Sequence, residues 1–339
     1  MLKKYSGYFT IAAFLLILSF LFYLTDEVYI ERTLAAEIEF GIERGESLNS
    51  VVSRLEEIGL VRNSFIVRSY LYFSDFSAPI KPGLYVIGPK YSVRDLFNKF
   101  AKGADIEVKI FEGWTSKEIA EALEELGVIK ESDEFLRLTK SFDNSGVQYQ
   151  FLTRGSSLDL EGYLFPDTYK FERGSAKSAT EKMLDNFNKK VFLEYPEIPA
   201  DGLRNILIMA SMIEKEVRTL EDMHLVSGVL WKRFESELPL QVDSTLVYLK
   251  CVLMTNPDFN DNSCRLISSR DKELDSLYNT YLYKGLPPGP ISNPGLRAIE
   301  AAAKPVESKY WFYLSARDDG RTIFSETLDE HNLNRVLYR

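Results

Sequence analysis

Residues 204–217 read RNILIMASMIEKEV, a helix-forming run that is apolar over two turns and ends in two glutamates, Glu214 and Glu216. At about 100° per residue the run carries one apolar stripe, and the glutamates flank it on opposite sides. The stripe consists of Ile206, Ala210, Ile213 and Val217. Each carboxyl is therefore expected to be half-buried, which raises its pKa and lets it keep a proton near neutral pH, as a general acid must. Two ordinary solvated glutamates at a helix end are the alternative.

Composition limits the possible functions. The chain has 339 residues, a net charge of -9 and no basic block beyond its first few residues, so nucleic acid is excluded as a partner. Two histidines and two cysteines are too few for the usual metal sites, and neither a metal nor a cofactor is predicted. The length and the absence of low-complexity tracts predict a folded protein of about two domains.

The N-terminus indicates a membrane anchor. Lys3 and Lys4 precede an uncharged, largely apolar run at residues 8–24, which is at the short end of what spans a bilayer as a helix. The positive-inside rule places residues 1–7 in the cytoplasm and the remainder outside. A cleaved signal peptide is the alternative, although its apolar core is usually shorter.

The two cysteines bracket a polar, turn-rich segment. Cys251 and Cys264 enclose the sequence VLMTNPDFNDNS, which has the composition of a surface excursion. Outside the cytoplasm the environment is oxidising, so a disulfide that closes this excursion is predicted. Two free thiols are the alternative.

Residues 37–103 are predicted to form a small α+β module. Alternation and helical spacing predict two strands, at 37–42 and 80–87, with two helices between them, and a further helix follows Ser92. The order strand, helix, helix, strand resembles the LysM-like modules that bind cell-wall glycan. An ordinary α+β spacer is the alternative interpretation.

Two later segments suggest contacts with sugar. Residues 161–171 read EGYLFPDTYKF, in which Tyr163 and Phe165 could stack on sugar rings or could fill the core of a strand pair. Residues 285–295 contain four prolines and three glycines, which prevent regular pairing and fix a rigid path suited to one wall of a cleft.

Five strings of the chain carry a family resemblance. They are EGYLFPDTY, ASMIEKE, LPLQVDSTLVY, YNTYLYKGLPPGPISNPG and the ending that contains FS and EHN. With the N-terminal run they closely resemble the endolytic murein transglycosylase family, the MltG or YceG-like proteins. The resemblance implies a single-pass inner-membrane protein whose periplasmic catalytic domain, residues 104–339, cuts nascent peptidoglycan glycan strands. The implied product has a 1,6-anhydro end on N-acetylmuramic acid, and the cut helps to terminate glycan elongation.

The resemblance also assigns residues. In that family the second glutamate of the E-K-E triplet is catalytic, which corresponds to Glu216; the helical wheel alone does not choose between Glu216 and Glu214. Where the family usually reads Q-x-D-P-T, this chain has Ser244 in place of the proline, which is expected to loosen the backbone without removing a functional group. Peptidoglycan synthases, the penicillin-binding proteins, are the implied partners.

The remaining site predictions divide into two groups. Glu214, Gln241 and Asp243 are predicted to support Glu216, and Asp243 is also expected to cap the helix that follows it. The predicted substrate-binding residues are Tyr163, Phe165, Tyr278, Asn279, Tyr281, Pro287, Pro288 and Asn293. Two other functions stay open: a non-catalytic scaffold that binds the cell wall, and a two-carboxylate muramidase that pairs Glu216 with Asp243 or Glu214.

Overall fold

The computed structural model divides the chain into two units. It describes residues 2–74, 79–146, 148–153, 155, 157–196, 198, 202–254, 263–317 and 320–338. The smaller unit comprises Met1–Ile106 and Lys170–Gly174, and the larger unit comprises Glu107–Tyr169 and Ser175–Arg339. Helices are combined with small two-stranded sheets, which confirms the predicted α+β class.

The smaller unit contains the predicted strand, helix, helix, strand order. Its elements are α1 (Leu2–Tyr29), β1 (Arg32–Thr33), β2 (Ile38–Ile42), α2 (Leu48–Glu57), α3 (Ser64–Phe73), β3 (Gly83–Ile87), β4 (Lys90–Tyr91) and α4 (Val93–Lys102). Strands β2 and β3 pair antiparallel, with Phe40 opposite Tyr85, and β1 pairs antiparallel with β4. Phe40, Tyr85 and Phe100 lie in the core between this sheet and the helices.

The end of α1 is joined to the rest of the smaller unit by a buried carboxylate. Glu27 is 1% exposed; it accepts hydrogen bonds from the backbone of Arg62 and Asn63 and pairs with Arg32 at 2.6 Å. Residues 8–24, predicted to span a membrane, form part of α1. Among the residues that the structure describes, no helix is both long and apolar enough to cross a bilayer.

The larger unit contains most of the helices. Strands β5 (Ile106–Lys109) and β6 (Thr168–Phe171) each cross a boundary between the two units in the sequence. The other elements of the larger unit are α5 (Ser116–Glu125), α6 (Ser132–Lys140), α7 (Ala176–Phe187), α8 (Leu203–Glu216), α9 (Leu220–Glu235), α10 (Asp243–Tyr248), α11 (Leu296–Ala303), β7 (Phe312–Ser315), β8 (Thr322–Ser325) and α12 (Leu328–Tyr338). Strands β5 and β6 form one sheet, and β7 and β8 form an antiparallel hairpin. The N-cap of α5 is Thr115, which forms a capping box with Glu118.

Helix α8 is the buried centre of the larger unit. Every residue from Leu207 to Ile213 is buried, so the prediction of a single apolar stripe understates the contacts of this helix. Helices α9, α10 and α11 pack against it. The hydroxyl of Ser211 stays paired inside this core, because it donates to the carbonyl of Ile208 and accepts from the backbone N–H of Ile291.

The predicted disulfide is present. Cys251 and Cys264 are joined by a disulfide bond, and their Cα atoms are 5.3 Å apart. The two residues are 13 positions apart in the sequence. Part of that loop, residues 255–262, lies outside the described residues. Cys251 belongs to a π-helical turn, Leu249–Leu253, that continues α10.

Gly228 of α9 packs directly against the backbone of Val306, and a substitution at this glycine tests how tight the contact is. An added Cβ on Gly228 would lie 1.9 Å from the carbonyl oxygen of Val306, so we expect Gly228→Ala to lower the free energy of unfolding by about 2 kcal/mol or more. The higher helix propensity of alanine alone would raise the free energy of unfolding by about 1 kcal/mol, so the sign of the measured change shows whether the contact with Val306 dominates. Urea unfolding measures it. Gly146→Ala is the control, because a Cβ there meets nothing within 4 Å and its stability should be unchanged.

Candidate functional site

Glu216 is the last residue of α8, and its carboxyl is half-buried. Its Oε1 accepts a hydrogen bond of 2.9 Å from the Ser244 hydroxyl, and the Tyr313 hydroxyl lies close enough to the carboxyl to affect its pKa. Burial raises the pKa of Glu216, and the nearby charge of Asp243 raises it further, whereas the two hydroxyl donors oppose the rise. The balance favours a carboxyl that keeps its proton to a higher pH than an ordinary glutamate.

Tyr313 reaches this carboxyl from strand β7 in the C-terminal hairpin. Burial, followed by the negative charge of Glu216, raises the pKa of Tyr313 well above its usual value. The phenol therefore keeps its proton at neutral pH and is a potential hydrogen-bond donor to Glu216. The sequence patterns gave no indication of this contact.

Asp243 is the first residue of α10 and not its cap, so that part of the prediction is wrong. Val242 precedes the helix, and no side chain caps it. Instead, the Asp243 carboxylate accepts a hydrogen bond of 2.5 Å from the Tyr281 hydroxyl. The Lys272 ammonium lies 4.2 Å from the centre of the Tyr281 ring, where cation–π attraction helps to hold the ring in place.

Gln241 is exposed beside this group, and a buried arginine orients it. Arg233 is 8% exposed and donates to the carbonyls of Pro239 and Trp311 and, at 2.8 Å, to Oε1 of Gln241. The backbone of Gln241 has φ +57°, which is uncommon for a residue with a side chain. With its amide oxygen occupied, Gln241 presents its amide N–H groups as the donors available to a ligand.

Glu214 is also half-buried, but it faces other partners. It accepts a hydrogen bond of 2.9 Å from the backbone N–H of Gly295. Burial is the main cause that raises its pKa, and the charge of Glu112 adds to the effect. The structure therefore brings Asp243 and Gln241, but not Glu214, into the group that surrounds Glu216.

The Pro-rich segment 285–295 packs onto α8. Its second half, from Gly289 to Gly295, is buried, so it forms less exposed wall than the composition predicts. Pro287 is buried as well, whereas Pro288 is exposed and its carbonyl accepts a hydrogen bond of 2.6 Å from Arg204.

Asn293 holds three segments of chain together. Its Oδ1 accepts from the backbone N–H groups of Gly162 and Leu164, and its amide nitrogen donates to the Trp114 carbonyl and to Glu161. The side chain is fully buried. We therefore interpret Asn293 as a positioning residue, and direct contact with a substrate stays only a prediction.

Glu161 is a buried carboxyl that the sequence patterns did not single out. It accepts from the backbone N–H of Ser116 at 3.0 Å, and burial raises its pKa to about 8. A carboxyl of that kind is largely protonated at neutral pH. Its only sequence signal was its place at the start of the EGYLFPDTY string.

The other predicted binding residues are divided between core and surface. Tyr163 and Phe165 are each 5% exposed, a placement that matches the alternative interpretation as core residues. Asn279 is fully buried and donates to the carbonyls of Lys272 and Leu274. Tyr278 is half-buried, with its ring 5.2 Å from that of Tyr248.

Three residues of the Glu216 group were not predicted as site residues: Tyr313, Arg233 and Ser244. For Ser244 a signal existed, because it stands where the related sequences usually have proline, yet its hydroxyl was not expected to matter. In the described part of the chain, no three histidine, cysteine or acidic side chains are placed to hold a metal ion.

The fold and the site together define the class of this protein: an α+β protein whose site is built around a single carboxyl. The larger unit presents one proton-holding carboxyl at a helix end, ringed by hydroxyl, amide and aromatic groups of the kind that bind carbohydrate. The chain belongs to the YceG-like family, whose model matches residues 40–336.

Named relatives agree with the family. The chain is 29% identical over 322 residues to an endolytic murein transglycosylase of Streptococcus pneumoniae, covering 88% of this chain and 57% of that protein. It is 27% identical over 325 residues to one of Bacillus subtilis, covering 91% and 87%. The chain thus spans a little more than half the length of the streptococcal relative.

A solved structure supports the fold. The chain resembles the crystal structure of a yceG-like protein from Listeria monocytogenes, with a TM-score of 0.57 and 27% identity. The match covers 88% of this chain and 98% of that one.

The pKa of Glu216 should respond to its neighbours in opposite directions. Ser244→Ala removes a donor that stabilises the carboxylate, so we expect the pKa of Glu216 to rise. Asp243→Asn removes a nearby negative charge, so we expect it to fall. NMR titration of isotope-labelled glutamate carboxyl carbons measures both shifts, and Glu216→Gln identifies the signal. Shifts of the same sign in both variants would contradict this electrostatic description.

Proposed function

We propose that this protein is a lytic transglycosylase that cleaves peptidoglycan glycan strands internally and leaves 1,6-anhydro-N-acetylmuramic acid ends. The observation that carries the proposal is the half-buried Glu216 carboxyl, whose pKa is raised by burial and which accepts a hydrogen bond from the Ser244 hydroxyl. The named relatives are murein transglycosylases, which favours the same reaction.

One carboxyl is sufficient for this chemistry. Protonated Glu216 donates its proton to the glycosidic oxygen as the bond from that oxygen to the anomeric carbon breaks. The C6 hydroxyl of the same sugar then attacks the anomeric carbon, and carboxylate Glu216 accepts its proton. No water is consumed, and the carboxyl ends in its starting state. Because the nucleophile is tethered to the reacting sugar, proximity replaces the second carboxylate of a hydrolase.

The surrounding groups would bind the sugars. Gln241 offers amide donors to hydroxyl or acetamido groups, and the ring of Tyr281, held by Asp243 and Lys272, offers a face for stacking. Arg233, which donates to Gln241 and to the backbone carbonyls of Pro239 and Trp311, would keep this surface rigid. Tyr278 would extend it.

A two-carboxylate muramidase is the second candidate, because Asp243 acts electrostatically on Glu216. Asp243 accepts a short hydrogen bond from Tyr281, which holds its carboxylate in place. A hydrolase would use that carboxylate to activate water or to attack the sugar, and its product would have a reducing end. Glu214 is the weaker partner because its hydrogen bond goes to Gly295.

We further propose that the protein is anchored in the inner membrane with its C-terminal domain in the periplasm. The uncharged sequence at residues 8–24 supports this, as do the exposed apolar side chains of α1, including Leu16 and Phe22. The strand, helix, helix, strand order of residues 37–103 supports a LysM-like module that binds glycan. Peptidoglycan synthases are the partners that such a location favours, and a scaffold without activity would share these features.

Replacing the acid tests the reaction. We expect Glu216→Gln to lower the rate of strand cleavage roughly a hundredfold to ten-thousandfold, because the amide keeps the shape but transfers no proton. The assay digests purified glycan strands and identifies the new ends by mass spectrometry. Glu221→Gln, an exposed change on α9, is the matched control and should leave the rate unchanged.

The products separate the three functions. Anhydro ends from the unmodified protein support the transglycosylase, reducing ends support the muramidase, and tight binding to the strands without cleavage supports the scaffold. Anhydro ends released by Glu216→Gln at the full rate would contradict the assignment of this residue.

A further inference from the structure

A cavity of about 580 Å³ lies in the larger unit on the Glu214 side of α8. Its walls are the turn after β5, the entry to β6, the end of α8 and the start of α11. Glu214 lines it and Glu216 does not. A volume of this size suits a small organic group rather than a single water or ion.

Three cationic side chains line the cavity: Lys109, Arg218 and Arg297. Arg218 is exposed and makes no hydrogen bond or ion pair with any residue that the structure describes. Arg297 has only a distant ion pair, 3.9 Å from the Glu112 carboxylate. Two guanidinium groups are thus available at one opening, and a guanidinium binds a carboxylate with two parallel hydrogen bonds.

The acidic side chains of the cavity do not fully neutralise these cations. Asp167 is already bound by Lys190 at 2.6 Å and by Asn186 at 2.7 Å. Glu214 is half-buried, and its carboxyl already accepts a hydrogen bond from the backbone N–H of Gly295. Glu112 and Glu214 remain as two carboxylates against three cations. A ligand that brings its own negative charge is favoured.

The position of the cavity along α8 relates it to Glu216. Arg218 lies two residues after Glu216; α8 ends at Glu216 and Val217 is extended, so the Cα atoms of Glu216 and Arg218 are at most about 7 Å apart. A glycan strand bound at Glu216 would therefore have its attached groups within reach of the cavity. In peptidoglycan the attached group is the peptide stem, which is linked to N-acetylmuramic acid and ends in a free carboxylate, whereas the sugar rings themselves are uncharged.

We propose that this cavity is a subsite for the peptide stem of the substrate, with Arg218 and Arg297 binding a stem carboxylate. The subsite rests on the proposed function, since only a glycan strand would bring a stem to this position. Apolar side chains at the cavity, among them Val217 and Met223, would contact the aliphatic part of the stem.

The test compares three substrates: strands with intact stems, strands stripped of stems by an amidase, and strands whose stem carboxylates have been converted to amides. For the unmodified protein we expect KM on intact strands to be about tenfold lower than on the other two, as one charge-assisted contact predicts. In Arg218→Gln and Arg297→Gln the ratio of KM on the altered strands to KM on intact strands should fall toward one. Arg335→Gln, an exposed arginine on α12, is the matched control and should keep it.

The possible results test the subsite and the proposed function separately. If the unmodified protein cleaves all three substrates with equal KM, or if the arginine variants keep the full ratio, the subsite is wrong and the proposed function stands. If it cleaves none of them, the proposed function itself fails. Circular dichroism of each variant checks its fold, and a KM effect with unchanged kcat separates binding from damage to Glu216.

Discussion

The enclosure of α8 is the constraint on which the rest of the larger unit depends. A helix that is apolar on all sides over two turns must be covered on all sides, and α9, α10, α11 and the segment 285–295 provide that cover. Its two ends emerge: the first turn exposes Arg204 and Asn205, and in the last turn the sequence changes to glutamate and lysine. The same burial that stabilises the domain therefore decides which two carboxyls are half-buried and on which sides of the helix they lie.

The segments around α8 contain few regular ladders, so buried polar side chains hold them in place. Ser211, Glu161 and Asn293 satisfy backbone groups that would otherwise be buried without partners, at a cost of about 1 to 3 kcal/mol each. Arg233 does the same around Gln241. Hydrogen bonds of defined direction keep these segments in fixed positions, which suits the proposed transfer of a proton from and to Glu216.

The sequence could predict whatever depends on neighbours along the chain. The strand, helix, helix, strand order of the smaller unit is as predicted, a helix follows Ser92, and the disulfide followed from spacing and compartment. The contacts that complete the site depend on tertiary packing instead. Tyr313 lies 97 residues after Glu216 on a strand whose alternation is unremarkable, and the burial of Asn293 cannot be seen in a segment whose prolines and glycines indicate an exposed loop.

Glu214 and Glu216 share burial and a raised pKa, so their different partners must account for the different roles that we propose for them. Glu214 accepts from a backbone N–H, which can only donate and therefore favours the charged carboxylate. Glu216 is held by hydroxyl groups, and the Ser244 hydroxyl can donate to the carboxylate or accept from the acid by rotating. A group that must give one proton and then take another needs partners that can hydrogen-bond both its protonated and its charged form. A partner suited to only one form would lose its hydrogen bond in one of the two steps, and the free-energy barrier of that step would rise. On this ground Glu216, and not its neighbour, is suited to act as both acid and base.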